Sequence, residues 1–328
     1  MPIEIEEASH ALGEFLSPTP LRHSPALSEM ADCNVWFKLE NLQPTGSFKI
    51  RGAFAKILSC EEGASDTPPR AYVTASTGNH GAAVAHAARE LGRNAIVFVP
   101  EGASGAKLAN VAGQGAKVIK HGTDCLESEA EARRHAAEND MVYISPYNDP
   151  EVVAGQGTMV DELIEQFESE PLDVVIASVG GGGLIGGIAS RLHEYNPDAK
   201  AIGVSPENSC VLIDSLSKGH VVPDPGLPTL SDGTAGGIEE DSITLDICRQ
   251  YVDHFTTVTE DDIARILKWF LNNHDGLKIE GSAAVAIAGF LKLKTNFAGK
   301  NVVIVLCGGN IDEETLERVL SGGDQSVD

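Results

Sequence analysis

Four consecutive glycines, Gly180 to Gly183, stand just after the apolar run DVVIAS (173–178) and just before LIGGIAS, an apolar stretch with helical spacing. Glycine lets a backbone take positive φ and come close to a ligand. Successive N–H groups followed by a helix N-terminus make a site for an anion. A plain strand-to-helix turn needs one or two glycines, so four read as a cradle for a phosphate-like group. No GK[ST] follows, which argues against a nucleotide P-loop. No GxGxxG with a ribose-binding acid stands in clear context, which weakens a dinucleotide reading.

A second cluster lies in KLENLQPTGSFKIRGA (38–53). Pro44, Thr45 and Gly46 form a turn signal, and Ser47 is placed to cap a helix beginning near Phe48. Lys49 then falls in the first turn. An amine there can serve as a nucleophile, or can run its stem along apolar neighbours with its head in water; spacing alone leaves both open. STGNHG (76–81) and CGGN (307–310) add small polar residues, and STGNHG taken by itself also reads as an ordinary capped helix start.

The elements that must position these residues alternate. AYVTA (71–75), NAIVFVP (94–100), AKVIK (116–120), DVVIAS (173–178), AIGVS (201–205) and NVVIVL (301–306) are almost continuously apolar, as strands covered on both faces are. Helical patterns are expected at 81–91, 107–114, 127–138, 160–168 and 261–272, and loops at 61–69 and 223–234. Strands alternating with helices imply an α/β fold with parallel sheets. Ligands of such sheets bind beyond the carboxyl ends of the strands. STGNHG, the glycine run and CGGN each follow a strand, which points to one shared site.

Composition narrows the partners. The 328 residues suit two domains around one cleft, and 42% apolar content supports large cores. A formal charge of −24, from 24 Lys+Arg against 48 Asp+Glu, repels nucleic acid and anionic lipid. No apolar run reaches the roughly 18 residues of a membrane span, and the acidic MPIEIEEASH is neither a secretory nor a transit signal. A cytoplasmic protein is expected. Six cysteines without a CxxC pair suggest neither a zinc site nor a disulfide framework; Cys33, Cys60, Cys125, Cys210 and Cys248 are expected to be buried or half-buried thiols.

Taken in order, PTGSFKIRGA, STGNHG, VGGGG and CGGN resemble the fold-type II (tryptophan synthase β-like) enzymes dependent on pyridoxal 5′-phosphate (PLP), in the threonine/serine dehydratase and serine racemase group. The likeness runs from LSPTPLRHSPALS, beginning at Leu16, through CGGNID at 307–312. AGQGT (154–158), DGTAGG (232–237) and TVTEDDI (257–263) fit it, and GSFKIRGA is closer to dehydratases and racemases than to cysteine synthases. The resemblance implies two open, mostly parallel sheets flanked by helices, with a large domain (1–70 and 149–328) and a small mobile one (71–148). It implies that Lys49 carries PLP as an imine and later moves the Cα proton, with Phe48 near the ring and Asn79 at the 3′-oxygen. Gly180, Gly181, Gly182 and Gly183 would hold the phosphate and Cys307 would face the pyridine nitrogen. A neutral thiol there does not stabilise a protonated ring as a carboxylate would, which suits elimination. Ser76, Thr77, Asn79 and His80 would take the substrate carboxylate, largely through backbone N–H groups. Gly236, in a run of small residues with Ala235 and Gly237, would leave room for the substrate side chain.

Departures from the family pattern matter too. Where racemase-like members hold a divalent cation through a Glu, GVSPENSCV (203–211) has Ser205, with Ser209 and Val211 at later ligand positions. The usual site is not expected, although Glu207 offers a different carboxylate. Thr77 replaces the racemase serine and keeps a hydroxyl on a stiffer side chain. The chain ends soon after CGGNID, so the regulatory domain of biosynthetic threonine dehydratases is not expected. The reading is a homodimeric ammonia-lyase of amino-acid catabolism acting on L-threonine, L-serine or a related hydroxy-amino acid. Alternatives are 3-hydroxyaspartate, phenylserine or a hydroxyectoine-breakdown intermediate as substrate, a racemase on the same scaffold, and a catalytically silent PLP-binding protein, against which Lys49 and Cys307 both stand.

Overall fold

The structure, a computed structural model, describes residues 4–62, 69–167, 171–274 and 276–321, and of residues 106 and 107 the backbone alone. Among the described residues ten strands form two sheets: β1 (Leu21–His23), β2 (Asn34–Lys38), β3 (Tyr72–Ala75), β4 (Ala95–Val99), β5 (Lys117–Lys120), β6 (Val142–Tyr143), β7 (Val174–Ser178), β8 (Lys200–Pro206), β9 (His254–Val258) and β10 (Asn301–Val305). Six strands run in the order β1-β2-β10-β7-β8-β9, and four in the order β5-β4-β3-β6. Every pairing is parallel except β1 with β2. β10 lies between β2 and β7, with Val302 opposite Val174 and Ile304 opposite Ile176, so the chain leaving each strand emerges side by side. β4, β7 and β10 are buried at every residue, which is why they read as unbroken apolar runs.

All six expected strands form. β1, β2, β6 and β9 were not anticipated: β1 and β6 span only three and two residues, and β9 is half-exposed along most of its length. The helix expected from 160 begins ten residues earlier, at Pro150–Phe167; position 168 and positions 63–68 of the expected loop lie outside the described residues. Its early glycines are contact points. A Cβ at Gly155 would stand 2.6 Å from the Arg51 carbonyl oxygen and 2.7 Å from Gly52 Cα, and one at Gly187 would stand 2.3 Å from the Val153 carbonyl oxygen. Glycine thus lets the helices Lys49–Glu62, Pro150–Phe167 and Gly183–Tyr195 approach backbone to backbone. Other helices fall close to expectation, at Asn79–Glu90, Gly105–Gly113, Cys125–Glu138 and Glu260–Asn273. Cys125 opens its helix exposed, a correction to the buried or half-buried state expected of it. No helix of the described residues is long and apolar enough to cross a membrane.

Beside the start of the Lys49–Glu62 helix sits a buried charge network. Arg51, 1% exposed, donates from Nε to Glu40 Oε2 at 2.8 Å and from Nη2 to Oε1 at 2.7 Å, and Nη1 meets Glu162 Oε1 at 2.6 Å. Lys38 at the end of β2 reaches the same Glu162 at 2.5 Å, with the Thr19 carbonyl and Gln166 as further acceptors. Burial pushes the Glu40 carboxyl up, but the charge and hydrogen bonds of Arg51 outweigh it and hold it below its ordinary value. Removing one partner leaves a buried charge uncompensated. Arg51→Ala is therefore expected to cost about 3–5 kcal/mol in urea unfolding; a loss below about 1 kcal/mol, as an exposed pair gives, would contradict this account of the network.

Candidate active site

The segment before Lys49 is laid antiparallel along the segment after β10. Phe48 N–H donates to the Cys307 carbonyl at 3.0 Å, Gly309 N–H to the Gly46 carbonyl at 2.9 Å, and Asn310 Nδ2 to the Thr45 carbonyl at 2.8 Å. Gly46 turns with φ +72, and a Cβ there would lie 2.6 Å from Asn310 Oδ1. This pairing corrects the expected cap. The helix begins at Lys49, and the Ser47 hydroxyl is buried without a partner among the described residues, because the Ser47 backbone bridges to Gly308 instead. Lys49 and Cys307 are fixed relative to each other by backbone.

Lys49 Nζ donates to the Pro146 carbonyl at 2.8 Å and lies 5.2 Å from the Phe48 ring centroid. Burial lowers its pKa from 10.5 to about 8, opposed by Cys307 and Glu280 nearby. An amine so placed gives up its proton far more readily than an exposed lysine does. Cys307 is 1% exposed and accepts a hydrogen bond from Ser178 Oγ, at the end of β7, at 3.4 Å. Burial pushes the thiol far above its ordinary range, so it stays neutral.

The glycine run occupies the neighbouring strand end. Gly182 has φ +87 and caps the helix Gly183–Tyr195. A Cβ at Gly180 would meet Thr234 backbone at 2.9 Å, and one at Gly181 would meet the Tyr147 ring at 2.4 Å. Thr244 donates to the Gly181 carbonyl at 2.6 Å, whereas the N–H groups of Gly180, Gly181 and Gly182 meet no acceptor among the described residues. Unsatisfied donors in a tight concavity call for an anion. Together with a partly buried amine and a neutral thiol at adjoining strand ends, this fits PLP: a phosphate for the glycines, a carbonyl carbon for Lys49, a ring nitrogen for Cys307.

STGNHG links β3 to the helix Asn79–Glu90, so it reaches the site from the four-stranded sheet. Ser76 Oγ accepts from Gly78 N–H at 3.2 Å. Thr77 is half-buried. The His80 ring turns away from a carboxylate role: Nε2 is 3.1 Å from the Ile144 carbonyl, which only a protonated nitrogen can satisfy, and Nδ1 is left without a partner. Burial, with Lys49 adding to it, lowers His80 to about 3, so the ring is neutral and only its backbone N–H remains for an anion. Gly236 has φ +121, donates to Ser209 Oγ at 3.2 Å, and a Cβ there would meet nothing within 4 Å. The Ser205 hydroxyl is spent on the Val179 carbonyl at 2.9 Å, and among the described residues no three His, Cys, Asp or Glu side chains converge as a metal group.

Four participants escaped sequence reasoning. Ser178 holds the Cys307 sulfur, and Tyr147 packs on Gly181 and Gly183 while its hydroxyl accepts from Glu239 N–H at 2.9 Å. Asn79 donates to both carboxyl oxygens of Glu280 at 3.0 Å, and accepts from Asn310 Nδ2 at 2.7 Å. Asn310 lay within CGGN without a role of its own, and Glu280 carried a signal only as a charge directly before GSAAVAIAGFL, an apolar helix start.

Residues 13–308 match the family described as pyridoxal-phosphate dependent enzyme. The L-threonine ammonia-lyase of Thermotoga maritima is 38% identical over 98% of this chain and 78% of its own length. Among solved structures, the processed threonine deaminase isoform 2 of Solanum lycopersicum superposes with a TM-score of 0.87 at 30% identity, covering 97% of this chain and 93% of that one. The serine racemase of Dictyostelium discoideum gives 0.85 at 32%, covering 94% and 97%. Cradle, lysine, thiol and these likenesses agree, and the chain belongs to the pyridoxal-phosphate-dependent enzymes, among the lyases of fold type II.

Proposed function

We propose that this enzyme removes water and ammonia from a 3-hydroxy L-amino acid, with L-threonine and L-serine as its substrates, and releases a 2-oxo acid. One observation carries the reading: the Lys49 amine, its pKa lowered, stands near a neutral thiol rather than a carboxylate, and it donates to Pro146, next to the Tyr147 that packs on the glycine cradle. The likeness to threonine ammonia-lyases supports it. PLP, when bound, supplies the electron sink that makes the substrate Cα–H acidic. Lys49 takes the Cα proton, and a pKa lowered to about 8 brings its base form within reach of physiological pH. The N–H groups of Gly180 to Gly183 hold the phosphate, and those at the start of the Asn79–Glu90 helix orient the substrate carboxylate. Phe48 would lie beside the cofactor ring and the neutral Cys307 thiol would be its partner at the ring nitrogen. The Cβ–O bond breaks, and the hydroxyl with a proton equivalent to the one Lys49 has taken is lost as water; the enamine then released takes up water and loses ammonia.

The open space at Gly236 favours acceptance of a larger side chain, such as that of 3-hydroxyaspartate. We divide the chain into a large domain (1–70 and 149–328) and a small one (71–148) that closes over the cleft. STGNHG would enter from the small domain and the other site residues from the large one. We place the enzyme as a cytoplasmic homodimer, on the family resemblance alone.

Two outcomes are expected. The rate at which apo-protein takes up PLP covalently should rise with pH and level off above about 8, since Lys49 loses its proton there rather than at 10.5. Lys49→Ala should abolish that uptake and at least ~10³-fold of turnover; an uptake still climbing steeply past pH 9 would contradict the lowered pKa. In chiral chromatography beside a 2-oxo acid assay, 2-oxo acid should form faster than D-amino acid accumulates from L-serine, L-threonine and 3-hydroxyaspartate. Thr77→Ala should depress any racemisation by about 10²-fold, and elimination by less. D-amino acid outpacing 2-oxo acid with every substrate turned over would make the enzyme a racemase.

A further inference from the structure

Glu280 is 3% exposed and precedes the helix Gly281–Leu293, yet its side chain makes no capping bond to that helix. A serine or threonine would serve a cap better and avoid burying a carboxyl. The carboxyl points instead into the cleft, and two glycines on other loops make room for it. A Cβ at Gly308 would lie 2.7 Å from its atoms and one at Gly233 would lie 3.2 Å away. Its own N–H is tied to the Gly308 carbonyl at 3.0 Å, next to Cys307.

The bonds around this carboxyl determine one amide. Both Glu280 oxygens lie 3.0 Å from Asn79 Nδ2, and Asn310 donates from its backbone N–H to Oε2 at 3.2 Å and from Nδ2 to Asn79 Oδ1 at 2.7 Å. Turning the Asn79 amide over would set its oxygen against a carboxylate and its NH2 against a donor. The amide therefore has one orientation, with one Nδ2 hydrogen on Glu280 and the other left for an acceptor in the cleft. Asn79 starts the helix after β3, whereas Glu280 precedes the helix Gly281–Leu293 and Asn310 follows β10. The clamp spans the two sides of the site.

We propose that Glu280 is a positioning residue of this active site: with Asn310 it locks the Asn79 amide so that its second hydrogen meets the ring oxygen of bound PLP. This rests on the reading of Asn79 as the contact to that oxygen. The groups that titrate or carry charge around the carboxyl are Lys49 from its helix, Asp232 from the short 3-10 helix Asp232–Thr234 and Cys307 from the end of β10. Burial is the largest influence on Glu280 and pushes it up to about 7; the Asn79 hydrogen bond opposes this, and Asp232 adds to it.

The test titrates apo-protein with PLP, reading affinity and the absorption band of the bound cofactor, in Glu280→Gln, Glu280→Asp, Asn79→Ala and the double variant Asn79→Ala/Glu280→Gln. Glutamine turns one acceptor into a donor facing Asn79 or the Asn310 N–H. Affinity should fall about 10–100-fold, as for one hydrogen bond to a charged group, with a displaced band and a melting temperature of the apo-protein near that of the parent. Glu280→Asp should recover part of the loss. The double variant should bind no more weakly than Asn79→Ala, because Glu280 acts through that amide. Parental affinity and band in Glu280→Gln, with Asn79→Ala impaired, would overturn the proposal alone. So would losses that add fully in the double variant, or a loss that follows a fallen melting temperature and is not recovered by aspartate. An unaffected Asn79→Ala would overturn the reading of Asn79 itself, and the proposal with it.

Discussion

Arg51 carries a full charge into the interior two residues after Lys49, and almost everything in the site is placed relative to that fact. Its guanidinium is shared between Glu40, just past β2, and Glu162, in the fourth turn of the Pro150–Phe167 helix, while Lys38 holds Glu162 from the other side. Such a group is tolerated in the interior only if its partners are held in position. Bidentate geometry to Glu40 fixes the angle as well as the distance of the Lys49–Glu62 helix start. Gly52, Gly155 and Gly187 then let three helices close behind it, each at a distance no side chain would permit.

From that anchored helix the chain runs back through Gly46 onto the residues following β10, and the chemistry inherits the rigidity. Lys49 cannot shift without moving Phe48 from the Cys307 carbonyl, and Cys307 cannot shift without leaving Ser178. β10 and β7 are neighbours in the sheet, so the thiol and the glycine cradle are adjacent by topology rather than by loop placement. Low polarity around the amine and the thiol acts on both in the same sense, favouring the neutral form of each. A neutral base and a neutral ring partner are what elimination requires. The surface charge of −24 lies outside this logic and concerns partners, not catalysis.

Strands buried on both faces were legible because burial leaves them no polar positions; β4, β7 and β10 are the plain cases. β9 was not, since its partial exposure breaks the apolar run, and β6 is too short for any pattern. The glycines of AGQGT lower helix propensity locally, and nothing near them in sequence reveals that Gly155 packs on Gly52. The glycine run announced itself by residue type, whereas Lys49 drew its role only from the resemblance of PTGSFKIRGA to the family. Glu280 did not: its partner Asn79 is 201 residues away, and the amide orientation it sets exists only once two sheets face each other. Ser47 misled because its hydroxyl suited a cap, whereas a backbone bridge to Gly308 decided its conformation.

The central claim is that the anchored Lys49 amine is the point at which the cofactor is covalently held. Reducing the PLP-loaded protein with borohydride, digesting it and locating the pyridoxyl group by mass spectrometry tests this directly. The account predicts a single modified peptide spanning GSFKIR, labelled on Lys49. A label on any other lysine, or none under conditions that retain the cofactor, would contradict it.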